Sequence, residues 1–126
     1  MQTSQTLYQR LGGTPGIEAI VDAVVAAHAA NPTIQARFLP YLADPARLSV
    51  IKRHTVQFFE MGSGGPSRYE GRSMRDAHHG LNVSAEEYVA AIDDILQVLR
   101  ERGVDEVTQK DVLAITFSLK GDILRR

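Results

Sequence analysis

The chain has 126 residues, and its composition, 44% hydrophobic and 23% charged, is typical of one ordinary globular domain over residues 1–126. Because 14 Lys and Arg residues nearly balance 15 Asp and Glu residues, neither nucleic acid nor an anionic membrane is an expected partner. Cysteine is absent, so disulfides, thiolate nucleophiles and iron–sulfur clusters are excluded, and a metal would have to be held by histidine or carboxylate.

The sequence carries no recognisable targeting signal. The first residues, MQTSQTLYQR, lack a basic stretch followed by an apolar one, and no segment approaches the roughly 18 apolar residues that span a bilayer. We therefore expect a cytoplasmic protein.

The N-terminal third predicts a short helix, a long helix and a corner. The short helix lies within residues 1–13, and the long one begins with Thr14 as N-cap and a proline in its first turn. One face of the long helix is formed by Ile17, Ile20, Val21, Val24, Val25 and His28. A proline follows its end, and residues 33–42 form a tight corner because a second proline interrupts them.

The middle of the chain predicts a second long helix, from Leu48 to Met61. Asp44 and the proline after it form its start signal, and a glycine-rich stretch over residues 62–66 stops it. His54 borders its apolar face, which consists of Leu48, Ile51, Thr55, Phe58 and Phe59.

Three further helix starts are predicted where Ser or Thr is followed three residues later by Asp or Glu. Ser73 opens a very short helix from Met74 to His79. Ser84 opens a helix with the apolar face Tyr88, Ala91, Ile92, Ile95, Val98 and Leu99. Thr108 opens the last helix, with Val112, Leu113, Thr116, Phe117, Leu119 and Ile123 facing inward. Since no segment alternates like a strand, the fold is predicted to be all-α.

Histidines carry the strongest chemical signal, because phosphate-binding loops, serine nucleophile elbows and HExxH zinc motifs are missing. His28, His54 and His78 lie on or beside apolar faces. A buried imidazole bonded to a backbone carbonyl is the simpler explanation for any one of them. Together they fit a flat apolar cofactor held by one imidazole, with Phe and Ile side chains opposite it and an aromatic ring at the corner.

With these residues in place, the sequence resembles the truncated haemoglobins, and within them group I. The matching runs are LYQRLGGTPGIEAIV, VQFFEMGSGGPSRYEGRSMRDAHHGLNVS and the helix that follows, of which YEGRSMRDAHHGL is the most specific part. The resemblance covers essentially the whole chain. It implies a two-over-two helical sandwich around haem b, that is, iron protoporphyrin IX.

The resemblance also implies a role for individual residues. His78, four residues after Met74, corresponds to the proximal ligand of the haem iron, and His79 points outward. Arg72, together with Lys52 or Arg53, is placed to meet the haem propionates, with a solvated surface position as the alternative. The residues expected at the haem are His78, His54, Phe38, Ile51, Thr55, Phe58, Phe59, Arg72, Met74, Val83, Tyr88 and Val25.

The chain departs from its relatives on the side of the haem where gas binds. Val25 stands where most relatives have a tyrosine that bonds dioxygen, and Ile51 and Thr55 stand where glutamine is common. This predicts weak retention of dioxygen. His54 falls where some relatives carry a histidine that binds the iron when no other ligand is present, and its alternatives are a propionate contact or a surface position.

The expected function is reversible binding of a diatomic ligand, dioxygen first, with nitric oxide and carbon monoxide close behind. The main alternative keeps the haem but makes the protein a redox enzyme, for nitric-oxide detoxification or electron transfer with a separate reductase. A third alternative is a haem-free helical interaction module. We expect a monomer.

Overall fold

The computed structural model describes residues 5–66 and 68–125, and within these ranges the secondary structure is helical. Besides the helices, an isolated parallel β-bridge joins Val83 to Leu124. The helices are α1 (Leu7–Arg10), α2 (Gly13–Ala30), a 3₁₀ turn (Gln35–Arg37), α3 (Leu39–Leu42), α4 (Pro45–Gly62), α5 (Met74–His78), α6 (Ala85–Glu101), α7 (Glu106–Ser118) and α8 (Lys120–Ile123). The all-α prediction is confirmed. No helix in the described part of the chain is long and apolar enough to cross a membrane.

The four long helices are α2, α4, α6 and α7. α2 packs against both α4 and α6, and α6 packs against α7. The main core consists of Leu11, Ile17, Ile20, Val21, Val25, Val98, Leu99 and Val112. A second buried cluster, formed by Val83, Tyr88 and Ile92, lies at the other end of α6 and reaches α7 and α8. The two clusters leave α4 and α5 to form the side of the molecule where the predicted ligands lie.

Three predicted caps are found in the structure. The side chains of Asp44, Ser73 and Ser84 accept hydrogen bonds from the backbone N–H groups three residues later. At Ser84 the capping box is complete, because the side chain of Glu87 accepts from the Ser84 backbone in return. These local signals therefore position α4, α5 and α6 as expected.

The predicted N-cap of α2 is wrong. The helix begins at Gly13 with Gly12 as N-cap, and Gly12 adopts a φ of 94° that favours glycine. The hydroxyl of Thr14 instead lies 2.7 Å from the hydroxyl of Tyr8. Gly16 is required just inside the helix, since a Cβ there would lie 2.1 Å from the Leu11 carbonyl oxygen.

The predicted start of the last helix at Thr108 is also wrong. α7 begins earlier, with Asp105 as N-cap, and Thr108 is fully buried inside it. Arg10 explains the pattern that suggested a cap. Its guanidinium donates to Thr108 Oγ1 at 3.0 Å and to Asp111 Oδ2 at 2.7 Å. Thr108 Oγ1 also donates to Oδ1 of the N-cap Asp105 at 2.5 Å, so this threonine joins the true start of α7 to α1, and Asp111 binds α1.

The end of the last predicted helix differs as well. α7 ends at Ser118, and the residues after Leu119 form the separate helix α8. Phe117 was expected to face inward but is 51% exposed. The buried residues of α7 are Thr108, Val112 and Thr116, spaced by four. Phe117 is one residue beyond this face, which turns it by about 100° toward solvent.

An ion pair ties the corner after α2 to the start of α6. Arg37 Nη2 donates to Glu87 Oε1 at 2.9 Å, and Arg37 Nε donates to the other carboxylate oxygen. This hydrogen bonding lowers the pKa of Glu87 from 4.5 to about 2. A carboxyl group with a lowered pKa stabilises the fold above its ordinary pKa, and that contribution is lost as the pH falls toward the lowered value.

We expect Glu87→Gln to lower the free energy of unfolding at pH 7 by about 1 to 2 kcal/mol, allowing for solvent screening. Glutamine still accepts the capping bond from Ser84 but loses the charge opposite Arg37. Urea titrations should show the gap between wild type and variant closing as the pH falls from 4.5 toward about 2. Glu86→Gln, an exposed position on the same turn, is the control. If wild type and variant differed in free energy of unfolding by the same amount at both ends of this pH range, the pairing with Arg37 would not be the cause of the lowered Glu87 pKa.

Among the described residues, Glu60 alone has buried side-chain polar atoms without a hydrogen-bond partner. It is 1% exposed, and neither carboxylate oxygen has a hydrogen-bond partner. Its backbone carbonyl accepts from Gly65 at 2.7 Å, close to the ring of Tyr8. Burying a polar group without a partner costs about 1 to 3 kcal/mol in proteins.

We therefore expect Glu60→Met to raise the free energy of unfolding by about 1 to 3 kcal/mol, since methionine fills a similar volume without polar oxygens. Urea unfolding at neutral pH measures the change. Glu18→Met, at an exposed position on α2, should leave stability nearly unchanged. Destabilisation by Glu60→Met would mean that an ordered water satisfies the carboxylate.

Candidate functional site

A cavity of about 190 Å³ lies between α2, α4, α6 and α7. Its lining is almost entirely aliphatic or aromatic. The residues that form it are Leu11, Ile17, Ile20, Val21, Val24, Val25, His28, Phe38, Ile51, Thr55, Phe59, Ile95, Leu99 and Val112. The structure thus brings together five residues that the sequence predicted for the haem: Val25, Phe38, Ile51, Thr55 and Phe59. The other predicted residues lie outside this lining.

His78 occupies the last turn of α5, the five-residue helix that Ser73 caps. Its Nδ1 lies 2.8 Å from the backbone carbonyl oxygen of Met74, four residues earlier. A carbonyl only accepts, so Nδ1 carries the proton and the lone pair of Nε2 is left for a ligand bond. This is the arrangement of metal-ligating histidines, whose second nitrogen is held by a carbonyl or carboxylate. His78 is half-buried, whereas the adjacent His79 is exposed.

An aromatic cluster beside α4 is joined to the core by the edge contact of Phe58 with Phe59, whose ring centroids are 6.2 Å apart. The ring of Tyr69 meets those of Phe58 and His54 edge-on, with centroids 5.5 Å and 6.2 Å away. The Tyr69 hydroxyl donates to the Arg72 carbonyl oxygen at 2.5 Å, which fixes the loop before α5. Burial raises the pKa of Tyr69, and the nearby Arg72 lowers it by a smaller amount. Sequence analysis missed Tyr69 as a site residue, although it belongs to the run YEGR.

The same loop is held to α4 by a second contact. The amide of Gln57 donates to Glu70 at 2.8 Å and accepts from the Glu70 backbone N–H at 3.2 Å. The loop that precedes His78 is thus attached along one face of α4. α5 itself packs against α8, so this loop and α8 together position it.

The remaining predicted residues lie at the edges of the site. Val83 and Tyr88 are in the second buried cluster, where the Tyr88 hydroxyl donates to the Thr116 carbonyl oxygen and burial raises the tyrosine pKa. Of the cations expected at the propionates, Arg72 is exposed and Lys52 pairs with Asp22 at 3.1 Å. Lys52 is therefore already engaged on α2.

Two of the lining residues carry side-chain N or O atoms. The Thr55 hydroxyl donates to the Ile51 carbonyl oxygen at 2.8 Å within α4, so its proton is already used. His28 bonds through Nδ1 to Asp94 Oδ2 at 2.8 Å. Five of the residues expected at the haem thus line an apolar cavity, and His78, which lies outside this lining, has Nε2 available. Both features suit a flat, largely apolar group such as haem.

Comparison with known proteins agrees with this geometry. The sequence pattern of bacterial-like globins matches residues 6–125. A group 1 truncated haemoglobin from Synechocystis sp. is 34% identical over 116 residues, which cover 87% of this chain and 88% of that protein. The sequence-based resemblance to truncated haemoglobins is therefore confirmed.

Solved structures show the same fold. The crystal structure of a truncated haemoglobin from Tetrahymena pyriformis, in its Fe(III) form, matches with a TM-score of 0.87 at 25% identity, over 97% of this chain and 100% of that one. A 2/2 haemoglobin from Synechococcus sp., in the cyanomet state with covalently attached haem, matches with a TM-score of 0.83 at 24% identity, over 97% and 100%. The predicted two-over-two arrangement of helices is confirmed.

Proposed function

Because this chain belongs to the bacterial-like globin family and resembles its group 1 truncated haemoglobins, we propose that it holds haem b through His78 and reversibly binds a diatomic gas. When bound, the haem supplies an iron that combines with dioxygen, nitric oxide or carbon monoxide. Dioxygen is the ligand we place first.

The observation that carries this proposal is the bond between His78 Nδ1 and the Met74 carbonyl oxygen, 2.8 Å long. It fixes the tautomer and the orientation of the ring, and leaves Nε2 available for the iron. The short helix α5 adds to this support, because it packs against α8 and the loop before it is attached to α4 by Gln57 and Tyr69. The ring thus has little freedom left to lose when it ligates.

The lining of the cavity supports gas binding with weak retention. Val25 and Ile51 offer no donor, and the Thr55 proton is used within its own helix. A single neutral hydrogen bond contributes only about 0.5 to 1.5 kcal/mol, so a site that lacks one releases its ligand correspondingly faster. The apolar side chains also exclude water, which a reversible gas site requires.

His78→Ala should lose haem or bind it with a clearly altered absorption spectrum, because it removes the proposed axial ligand. His79→Ala is the matched control, since this neighbour is exposed at the end of the same helix. Haem content and ferric and ferrous spectra of both purified variants measure the effect. Unchanged content and spectra in His78→Ala would refute the proximal assignment.

His54 is proposed to ligate the iron opposite His78 when no gas is bound. Among the described residues its one ring contact is with Tyr69, and it has no hydrogen-bond partner. His54 lies outside the cavity lining, but Ile51 and Thr55 of the same helix line it with Val25, and these three present no bulky or charged barrier. An internal ligand of this kind lowers the apparent gas affinity by the fraction of molecules that have released it.

The ferrous protein without gas should therefore show a six-coordinate low-spin spectrum, and His54→Leu should convert it to a five-coordinate one with faster gas binding. His79→Leu serves as the control and should retain the wild-type spectrum. If the wild-type ferrous spectrum is already five-coordinate at neutral pH, His54 stays against Tyr69 and is not an iron ligand.

A further inference from the structure

The cavity is larger than a diatomic gas needs. An apolar cavity of roughly 150 Å³ lined by Leu, Ile and Phe stays dry and binds benzene. The cavity found here measures about 190 Å³ and has a lining of the same kind. It is large enough for a ring of six carbon atoms.

Part of the cavity lining lies outside the set of residues expected at the haem. Leu11, Ile17, Leu99 and Val112 line the cavity from α2, α6, α7 and the end of α1. None of these four belongs to the set that the resemblance places against the cofactor.

His28 provides one fixed polar position in the wall. Its Nδ1 carries a proton, because the Asp94 carboxylate only accepts, and in the neutral ring Nε2 is then an acceptor. Within the described ranges Nε2 has no hydrogen-bond partner. In this part of the chain, the fully buried side-chain polar atoms without a hydrogen-bond partner are the two Glu60 oxygens. Because Nε2 of His28 has no partner and is not among them, it retains some accessible surface. The imidazole ring of His28 lines the cavity.

The direction of Nε2 is fixed by a network at the C-terminal end of α2. The amide nitrogen of Asn31 donates to both Asp94 oxygens, at 3.1 and 3.2 Å, and the Asn31 backbone N–H donates to the His28 carbonyl oxygen at 3.2 Å. The ring of Phe38 lies 5.2 Å from the imidazole. The side chains of His28 and Asp94 are only 11% and 13% exposed.

We propose that this cavity binds a small neutral aromatic alcohol of the phenol class, whose hydroxyl donates to His28 Nε2. The aromatic ring packs against the aliphatic lining, and the hydroxyl satisfies an acceptor that would otherwise stay unpaired. Diatomic gases carry no O–H group and leave this acceptor unused. A charged ligand is disfavoured because the rest of the wall is apolar.

The test compares phenol with benzene, which has the same ring but no donor. Both are titrated by calorimetry into the purified full-length chain under saturating carbon monoxide, so that phenol cannot ligate any haem iron present. Wild type should bind phenol. His28→Leu should weaken phenol binding at least tenfold while leaving benzene binding unchanged or tighter. His79→Leu, which alters an exposed histidine, should change neither.

A second measurement covers the case in which His28→Leu does not fold. In the wild-type protein, long-range proton–nitrogen NMR spectra should show the His28 Nε2 resonance shifting on addition of phenol and not of benzene. Absence of phenol binding, phenol binding that His28→Leu leaves intact, or an Nε2 resonance that phenol does not move would each overturn the proposal.

Discussion

Burial of α2 on two sides is the constraint on which the rest of the structure depends. This helix packs against both α4 and α6, and its residues Ile17 and Val21 are 1% and 2% exposed. The glycine turn before it lets the Leu11 carbonyl approach Gly16 closely. Valine and isoleucine side chains are too short to fill all the space where several helices meet, and the cavity is the volume that remains. The candidate site is therefore a consequence of how α2 is packed.

Hydrogen bonds within one helical turn could be predicted from the sequence, and contacts between distant segments could not. Asp44, Ser73 and Ser84 cap helices through backbone groups three residues away, so their role follows from local spacing alone. Thr108 has the same local pattern, but its hydroxyl bonds Arg10, 98 positions earlier. A partner at that separation leaves no trace in the spacing. The local partner of Thr108 is Asp105, three residues before it, so α7 starts earlier than predicted.

The same distinction applies to the candidate site. The partner of His78 is a carbonyl four residues back, but it was the resemblance to truncated haemoglobins, and not this spacing, that singled out His78 among the histidines. The partner of His28 is Asp94, 66 residues later on another helix, and nothing in the sequence linked the two. The unpartnered Glu60 was equally invisible, because a charged residue beside Phe59 is expected at the edge of an amphipathic helix. Near the end of α4, α1 approaches closely, with the Tyr8 N–H donating to the Ser63 carbonyl oxygen at 2.9 Å.

The three histidines near the site differ chiefly in what holds Nδ1. In His78 it is a neutral backbone carbonyl, which suits a neutral imidazole that ligates a metal. In His28 it is a carboxylate fixed by Asn31, which locks the ring between α2 and α6 and commits it to one direction. His54 has neither kind of partner within the described ranges and only a ring contact with Tyr69. The ring with the fewest restraints loses the least on moving, so of the three His54 is the one suited to exchange with an incoming ligand, while His78 and His28 define fixed positions.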